Sequence, residues 1–232
     1  MHLSRVNSQF KILAVIVVLE NFMKNTKNMI PTIFKTLHVS NLEELQGLYK
    51  NWDDYEYDVI QLAGYVGHLV TTEALLRHLD NKEAKILDAG CGTGLVGDIL
   101  YSKDYKNIVG VDFSQEMLNR ALKKNIYKSL NLCDLTKQLN FEDNSFDAII
   151  CAGTFTCGHV GPEALNEMVR ITKNDGYISF TVRKQEWEAS PYEKIIKDLE
   201  RSKLWRQIEH HTSEYNTQEG INCQLCLYQV TK

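Results

Sequence analysis

The sequence predicts an α/β domain: a doubly wound, mostly parallel seven-stranded sheet, an antiparallel hairpin at the C-terminal end, and a lid of N-terminal helices. Three observations carry this. From Lys85 onward, short apolar runs alternate with amphipathic segments, the rhythm of a parallel sheet covered on both faces. The first run breaks into a glycine loop, Ile86-Leu87-Asp88-Ala89-Gly90-Cys91-Gly92-Thr93-Gly94, and the second, Val109-Gly110-Val111-Asp112, ends in an acid. After Val182 two strand-like runs follow with no helix between them, so they pair antiparallel at the sheet edge.

The elements follow in order. Asn41 caps a helix with Glu43 and Glu44 in its first turn. A tyrosine-rich stretch, Tyr49, Trp52, Tyr55 and Tyr57, leads to a second helix over about Tyr65–Leu79. Core strands are expected at Lys85–Ala89, Asn107–Asp112, Tyr127–Leu132, Phe146–Ala152 and Tyr177–Val182. Helices are expected at Gly94–Tyr101, Ser114–Lys124 and Pro162–Thr172. Ser114 is an N-cap without the acid or amide three residues on that would complete a capping box. Asn174-Asp175-Gly176 reads as a turn before the fifth strand. A helix at Pro191–Leu199 and strands at Leu204–Ile208 and Asn222–Val230 close the chain.

With 232 residues the chain suffices for one such domain, assigned to residues 41–232. Residues 1–40 share no pattern with the rest and read as a poorly ordered extension. Its apolar run, Ile12 to Leu19, falls short of the roughly 20 residues that span a bilayer, and no small-residue cleavage site follows it. No membrane association is expected. A net charge of -4 leaves no electrostatic footprint for nucleic acid. Arg120, Lys123, Lys124 and Lys128 read as a solvated helix face. The six cysteines are scattered, three of them in or beside apolar strands, which suits reduced thiols and a cytoplasmic protein. Cys223-Gln-Leu-Cys226 lacks a second pair or a histidine cluster, so no metal site is expected.

The glycine loop admits two readings. Gly92-Thr93-Gly94-Leu95-Val96-Gly97 is a literal G-x-G-x-x-G with Asp112 about 20 residues on, as a dinucleotide-binding (Rossmann) fingerprint asks. An NAD-dependent oxidoreductase is therefore one candidate. Against it, Asp88 stands at the strand tip ahead of the tighter series Gly90-x-Gly92-x-Gly94, so the fingerprint's first glycine comes late.

The chain resembles the class I S-adenosylmethionine-dependent methyltransferases. DAGCGTG is similar to their first motif, VDFSQEML to the second, LNLCDL to the third and FDAIICAG to the fourth strand, in order. A narrower resemblance is to the methyltransferase-like proteins named after the Williams–Beuren chromosomal region, through YKNWDDYEYD, GTGLVGDIL and CAGTFTCGHVGPEAL. Those proteins carry Y-x-x-W-x-x-x-Y-D; here a tyrosine falls at Tyr55, one residue early, so Tyr55 and Tyr57 compete for the family's position.

The resemblance implies S-adenosyl-L-methionine as cofactor and methyl transfer as activity. Gly90, Cys91, Gly92 and Gly94 would meet the methionine moiety, with Asp88 holding the loop and the ligand's ammonium. Asp112 would accept from the ribose, Phe113 and Met117 would flank the adenine, and Asp134 would accept from its amino group beside Leu135. Trp52 and Tyr55, with Tyr49, would form an aromatic lid or simply pack a helix on the sheet. Gly153 would line the acceptor's approach, and His159 would act as a base or shape the pocket. Cys151-Ala152-Gly153-Thr154 replaces the N/D-P-P-Y/F of amino-methylating enzymes, which argues against adenine, cytosine and glutamine-amide acceptors. A small-molecule acceptor is expected. A cofactor-binding regulator without turnover is the third reading.

Overall fold

The computed structural model describes residues 39, 42–156 and 160–232. The extension expected over residues 1–40 thus falls almost wholly outside the described residues, as do Cys157 and the proposed base His159. The N-terminal helices are α1 (Leu42–Lys50), a single turn α2 (Tyr55–Tyr57) running into a π-helical turn over Asp58–Leu62, and α3 (Gly67–Leu76). The alternating core follows as β1 (Ile86–Ala89), α4 (Leu95–Ser102), β2 (Ile108–Asp112), α5 (Gln115–Lys123), β3 (Ser129–Leu132), β4 (Phe146–Phe155), α6 (Ala164–Ile171) and β5 (Thr172–Arg183). Two helices, α7 (Lys184–Ala189) and α8 (Tyr192–Arg201), precede β6 (Trp205–Asn216) and β7 (Ile221–Val230).

The sheet has seven strands in the order β3-β2-β1-β4-β5-β7-β6. The pairings among β1 to β5 are parallel, and β7 runs antiparallel to both β5 and β6. Strand alternation sends neighbouring residues to opposite faces. Ile86, Ile108, Ala148 and Ile150 join Leu75 of α3 and Val96 and Leu100 of α4 on one face. Leu87, Val109, Val111 and Ile149 join Leu165, Met168, Ile196 and Leu199 of α6 and α8 on the other. Cys223 and Cys226 fall into separate apolar clusters for the same reason, being three residues apart on β7. Among the described residues, no helix is long and apolar enough to cross a membrane.

The structure differs from the sequence reading in several places, among them the added helix α7. The turn at Asn174-Asp175-Gly176 is a bulge inside β5: Phe146 pairs with Thr172 and Ala148 already with Tyr177, while Asp175 takes a φ of 62°. The strand expected at Leu204–Ile208 runs on to Asn216, because an edge strand that faces solvent carries His210 to Glu214 without an apolar pattern. The second helix starts at Gly67, leaving Tyr65 in an antiparallel bridge with Asn216. Arg120 and Lys124 are no mere solvated face. Arg120 donates to the Trp52 carbonyl at 2.8 Å, and Lys124 pairs with Glu56 at 3.0 Å and Asp98 at 2.6 Å, which fastens the N-terminal helices to α5 and α4.

Candidate functional site: a cavity at the switch point of the sheet

Strand order reverses between β1 and β4, and a ligand crevice is expected outside the carboxyl ends of strands at such a point. A cavity lies there, lined by residues at the carboxyl ends of β1 to β5 and roofed by the N-terminal helices.

Its first wall is the glycine loop. Gly90 and Cys91 donate their amides to the Val111 carbonyl at 2.8 and 2.9 Å, which ties the loop to β2. Gly92 takes a φ of 53°, and the space where a Cβ would project is empty, so backbone is open to a ligand there. Its amide donates to Asp112 Oδ2 at 2.8 Å, while the Ser114 amide donates to Oδ1 at 2.8 Å. Ser114 in turn caps α5 by accepting from the Met117 amide at 3.4 Å. Asp112 is therefore locked between the loop and α5. Burial pushes its carboxyl up to about 6, against the pull of those amides.

Asp88 and Gly94 do not line the cavity. Asp88 lies behind the loop, accepting from the Tyr127 hydroxyl at 2.7 Å and from the Gly97 amide in the first turn of α4. Burial pushes it up to about 7. Gly94 is the N-cap of α4 and packs against Tyr127. Both shape the loop from outside the cavity. The remaining residues singled out, Trp52, Tyr55, Gly90, Cys91, Gly92, Asp112, Phe113, Met117, Asp134, Leu135 and Gly153, come together around it. Burial raises the Cys91 thiol, which keeps it protonated at neutral pH.

Asp134 holds the β3 end. Its Oδ1 accepts from the Thr136 amide at 2.9 Å and the Thr136 hydroxyl at 2.6 Å, and Lys137 lies 3.1 Å from Oδ2. Burial pushes its carboxyl up, but the Thr136 bonds and Lys137 prevail and hold it below the usual range. The roof is aromatic. Trp52 packs edge-on to Tyr55 at 5.0 Å, and Tyr49 contacts Trp52, Tyr55 and Phe113 at 6.4, 5.9 and 6.0 Å. The Trp52 indole donates to Asp58 at 2.7 Å, and Gln46 donates to the Phe113 carbonyl at 2.8 Å. Of the two tyrosines that compete for the family's position, Tyr55 lines the cavity, whereas Tyr57 is 59% exposed.

The far wall contains residues the sequence reading did not single out: Tyr65, His68, Arg183, Tyr215 and Asn216. Gly153, with a φ of 78°, admits them, since a Cβ there would sit 2.6 Å from the Tyr65 hydroxyl. Tyr65 packs on His68 at 5.2 Å and edge-on to Tyr215 at 5.1 Å. Burial pushes the His68 imidazole down to about 4, so it is neutral at physiological pH. A signal for Arg183 was present: a charge directly after the apolar β5 run, at the carboxyl end of a parallel strand.

Comparison with known proteins agrees with this architecture. A family model described as a methyltransferase domain matches residues 87–180, from β1 into β5. Human Methyltransferase-like protein 27 is 32% identical over 149 residues, covering 62% of this chain and 60% of that one. A Methanocaldococcus jannaschii protein is 31% identical over 147 residues, covering 61% of each. The chain thus spans about three fifths of the length of these curated relatives. Among solved structures, the 1,6-didemethyltoxoflavin-N1-methyltransferase of Burkholderia thailandensis, with bound 1,6-didemethyltoxoflavin and S-adenosylhomocysteine, superposes with a TM-score of 0.60. It is 16% identical and covers 84% of this chain and 92% of its own, a likeness of fold. The fold that carries the glycine-loop crevice is the one that this methyltransferase structure shares. The chain is thus similar to S-adenosylmethionine-dependent methyltransferases, through a matching methyltransferase domain over residues 87–180 and through these relatives.

Proposed function

We propose that this chain binds S-adenosyl-L-methionine in the switch-point cavity and transfers its methyl group to a small-molecule acceptor. The observation that carries this is Asp112: a buried carboxylate at the tip of β2, clasping the Gly92 amide beside open backbone, with Asp134 at the next strand tip. These residues fit the cofactor. Asp112 keeps acceptor capacity beyond its two amide bonds for ribose hydroxyls. Asp134 offers an acceptor to an exocyclic amine, with Met117 and Leu135 as apolar walls for the ring between them.

When bound, the cofactor supplies a methyl group on a positively charged sulfur that leaves without acid assistance. What the chain contributes is placement and exclusion of water. Oriented approach accounts for roughly 7–11 kcal/mol of a barrier in favourable systems. The aromatic roof of Tyr49, Trp52 and Tyr55 closes the cavity from above and offers ring faces to a cation. Gly153 keeps the passage from the glycine loop to the far wall open. Neutral His68 at that wall is a candidate proton acceptor for an acceptor hydroxyl or amine, a role the sequence reading gave to His159.

The competing oxidoreductase reading has a literal fingerprint in its favour. It suffers from geometry: Gly94, the fingerprint's second glycine, lies outside the cavity. Calorimetric titration with S-adenosylhomocysteine and with NAD separates the two. Saturable binding of the first and none of the second is expected; the reverse would remove the proposal. Turnover in a metabolite library, read as S-adenosylhomocysteine release, separates an enzyme from a cofactor-binding regulator.

A further inference from the structure

We propose that the methyl acceptor carries a carboxylate and that Arg183 binds it. The inference rests on the methyltransferase reading above and adds the acceptor's chemical class.

Arg183 lies at the last position of β5 and is only 3% exposed, yet it lines the cavity. Among the described residues it makes no ion pair, and its buried Nε has no hydrogen-bond partner. The two half-buried arginines nearest to it in burial are answered. Arg170 meets Glu167 and Asp143, and Arg120 meets Glu116 and the Trp52 carbonyl. A guanidinium taken from water without a counter-charge is costly, and a fold that retains one has a use for it. Its planar fork matches a carboxylate, which it grips with two parallel bonds.

Two further orphans face the same space. The Tyr65 hydroxyl and His68 Nδ1 are buried without partners, and both residues line the cavity. Tyr215, packed on Tyr65, completes the wall. These groups offer hydrogen bonds and little charge, so one cation sets the balance at a single negative charge. That suits a carboxylate better than a phosphate dianion.

Topology places this wall on the acceptor's side. The cofactor residues stand at the ends of β1, β2 and β3, and Arg183 stands at the end of β5, two strands beyond β1 across β4. At about 4.8 Å per strand the offset is on the order of 10 Å. The opposite end of the cavity, with Asp112 and Asp134, repels an anion, so the two ends sort a cationic cofactor from an anionic acceptor.

The test uses the full chain saturated with S-adenosylhomocysteine and two matched probe pairs, benzoate with benzamide and hexanoate with hexanamide, followed by ligand-observed NMR. At least one carboxylate is expected to bind about tenfold or more tighter than its amide. Arg183→Met should erase that preference and Arg183→Lys restore part of it. Arg183→Met should also keep S-adenosylhomocysteine affinity within about threefold and leave the ligand-free Tm unchanged or raised, since it removes an unpaired buried charge. Equal binding of acid and amide, or binding of neither, overturns the proposal. So does a loss of S-adenosylhomocysteine affinity in Arg183→Met, which would put Arg183 on the cofactor's own carboxylate. A fall in ligand-free Tm would make Arg183 structural and also overturn it. If wild type fails to bind S-adenosylhomocysteine, the cofactor reading falls instead, and this is measured first.

Discussion

At one end of the cavity, Asp112 and Asp134 stand at consecutive strand tips, each held by backbone amides or by its own loop. At the other end, Arg183, Tyr65 and Tyr215 converge from β5, the segment before α3, and β6, and the Arg183 Nε and Tyr65 hydroxyl have no hydrogen-bond partner among the described residues. The acidic end is pre-organised by local turns, which fix its carboxylates and leave them acceptor capacity for a ligand. The basic end leaves polar atoms open for a ligand to complete. A site of this kind spends stability at the end where its partner is to be recognised.

The largest effect expected is at the acidic end. Asp112→Ala removes the acceptor of the Gly92 amide and of the ribose together. Hydrogen bonds to a charged group contribute about 1.5–3 kcal/mol each, so S-adenosylhomocysteine affinity should fall more than about a hundredfold. Calorimetry reads the loss, and an unchanged far-ultraviolet spectrum shows that the fold persists. Affinity within threefold of wild type would break the assignment of this end to the ribose.

Gly153→Ala acts at the boundary between the ends. The new Cβ meets the Tyr65 hydroxyl in a left-handed backbone conformation, so a stability loss of roughly 1–3 kcal/mol is expected by thermal unfolding. Tyr65→Phe should do the opposite in the ligand-free protein. It deletes a buried hydroxyl that has no partner, so Tm stays level or rises slightly. A clear drop would mean that the hydroxyl is already satisfied and the far wall is not open for a ligand.

The acidic end also predicts two pH effects. Burial raises Asp112 to about 6, and only its ionised form accepts fully from a ribose. S-adenosylhomocysteine affinity should therefore hold from pH 8 to about 6 and weaken below it, while Asp112→Asn loses this dependence. Asp88, raised to about 7, bears on stability. Between its unfolded value and pH 7 the folded chain holds a proton that the unfolded chain has lost, so stability falls as pH rises through that window. His68, lowered to about 4, opposes this below pH 6.5. Comparing Asp88→Asn with wild type isolates the smaller effect: the variant's relative Tm should climb between pH 5 and pH 8.

The same contrast explains what was legible in the sequence. The glycine loop, Asp112 and the strand-helix rhythm are written in runs of a few residues, because a buried strand and its turn impose local patterns. Tyr65, Arg183 and Tyr215 are far apart in the chain. They meet through the pairing of β5 with β7 and of β7 with β6, and through the Tyr65–Asn216 bridge, none of which leaves a periodic trace. Edge strand β6 was read too short for a related reason, since its solvent face carries no alternation to extend. Asp88 shows the converse. Its position in the motif was plain, but that it faces Tyr127 and α4, not the cavity, is a matter of which side of β1 it occupies.

The most direct test of the account is calorimetric titration of the wild-type chain and Asp112→Ala with S-adenosylhomocysteine, beside NAD as control. Saturable one-to-one binding by wild type, at least about a hundredfold weaker in the variant, with no heat from NAD, is the predicted result. Binding of NAD, or equal affinities of the two proteins for S-adenosylhomocysteine, would contradict it.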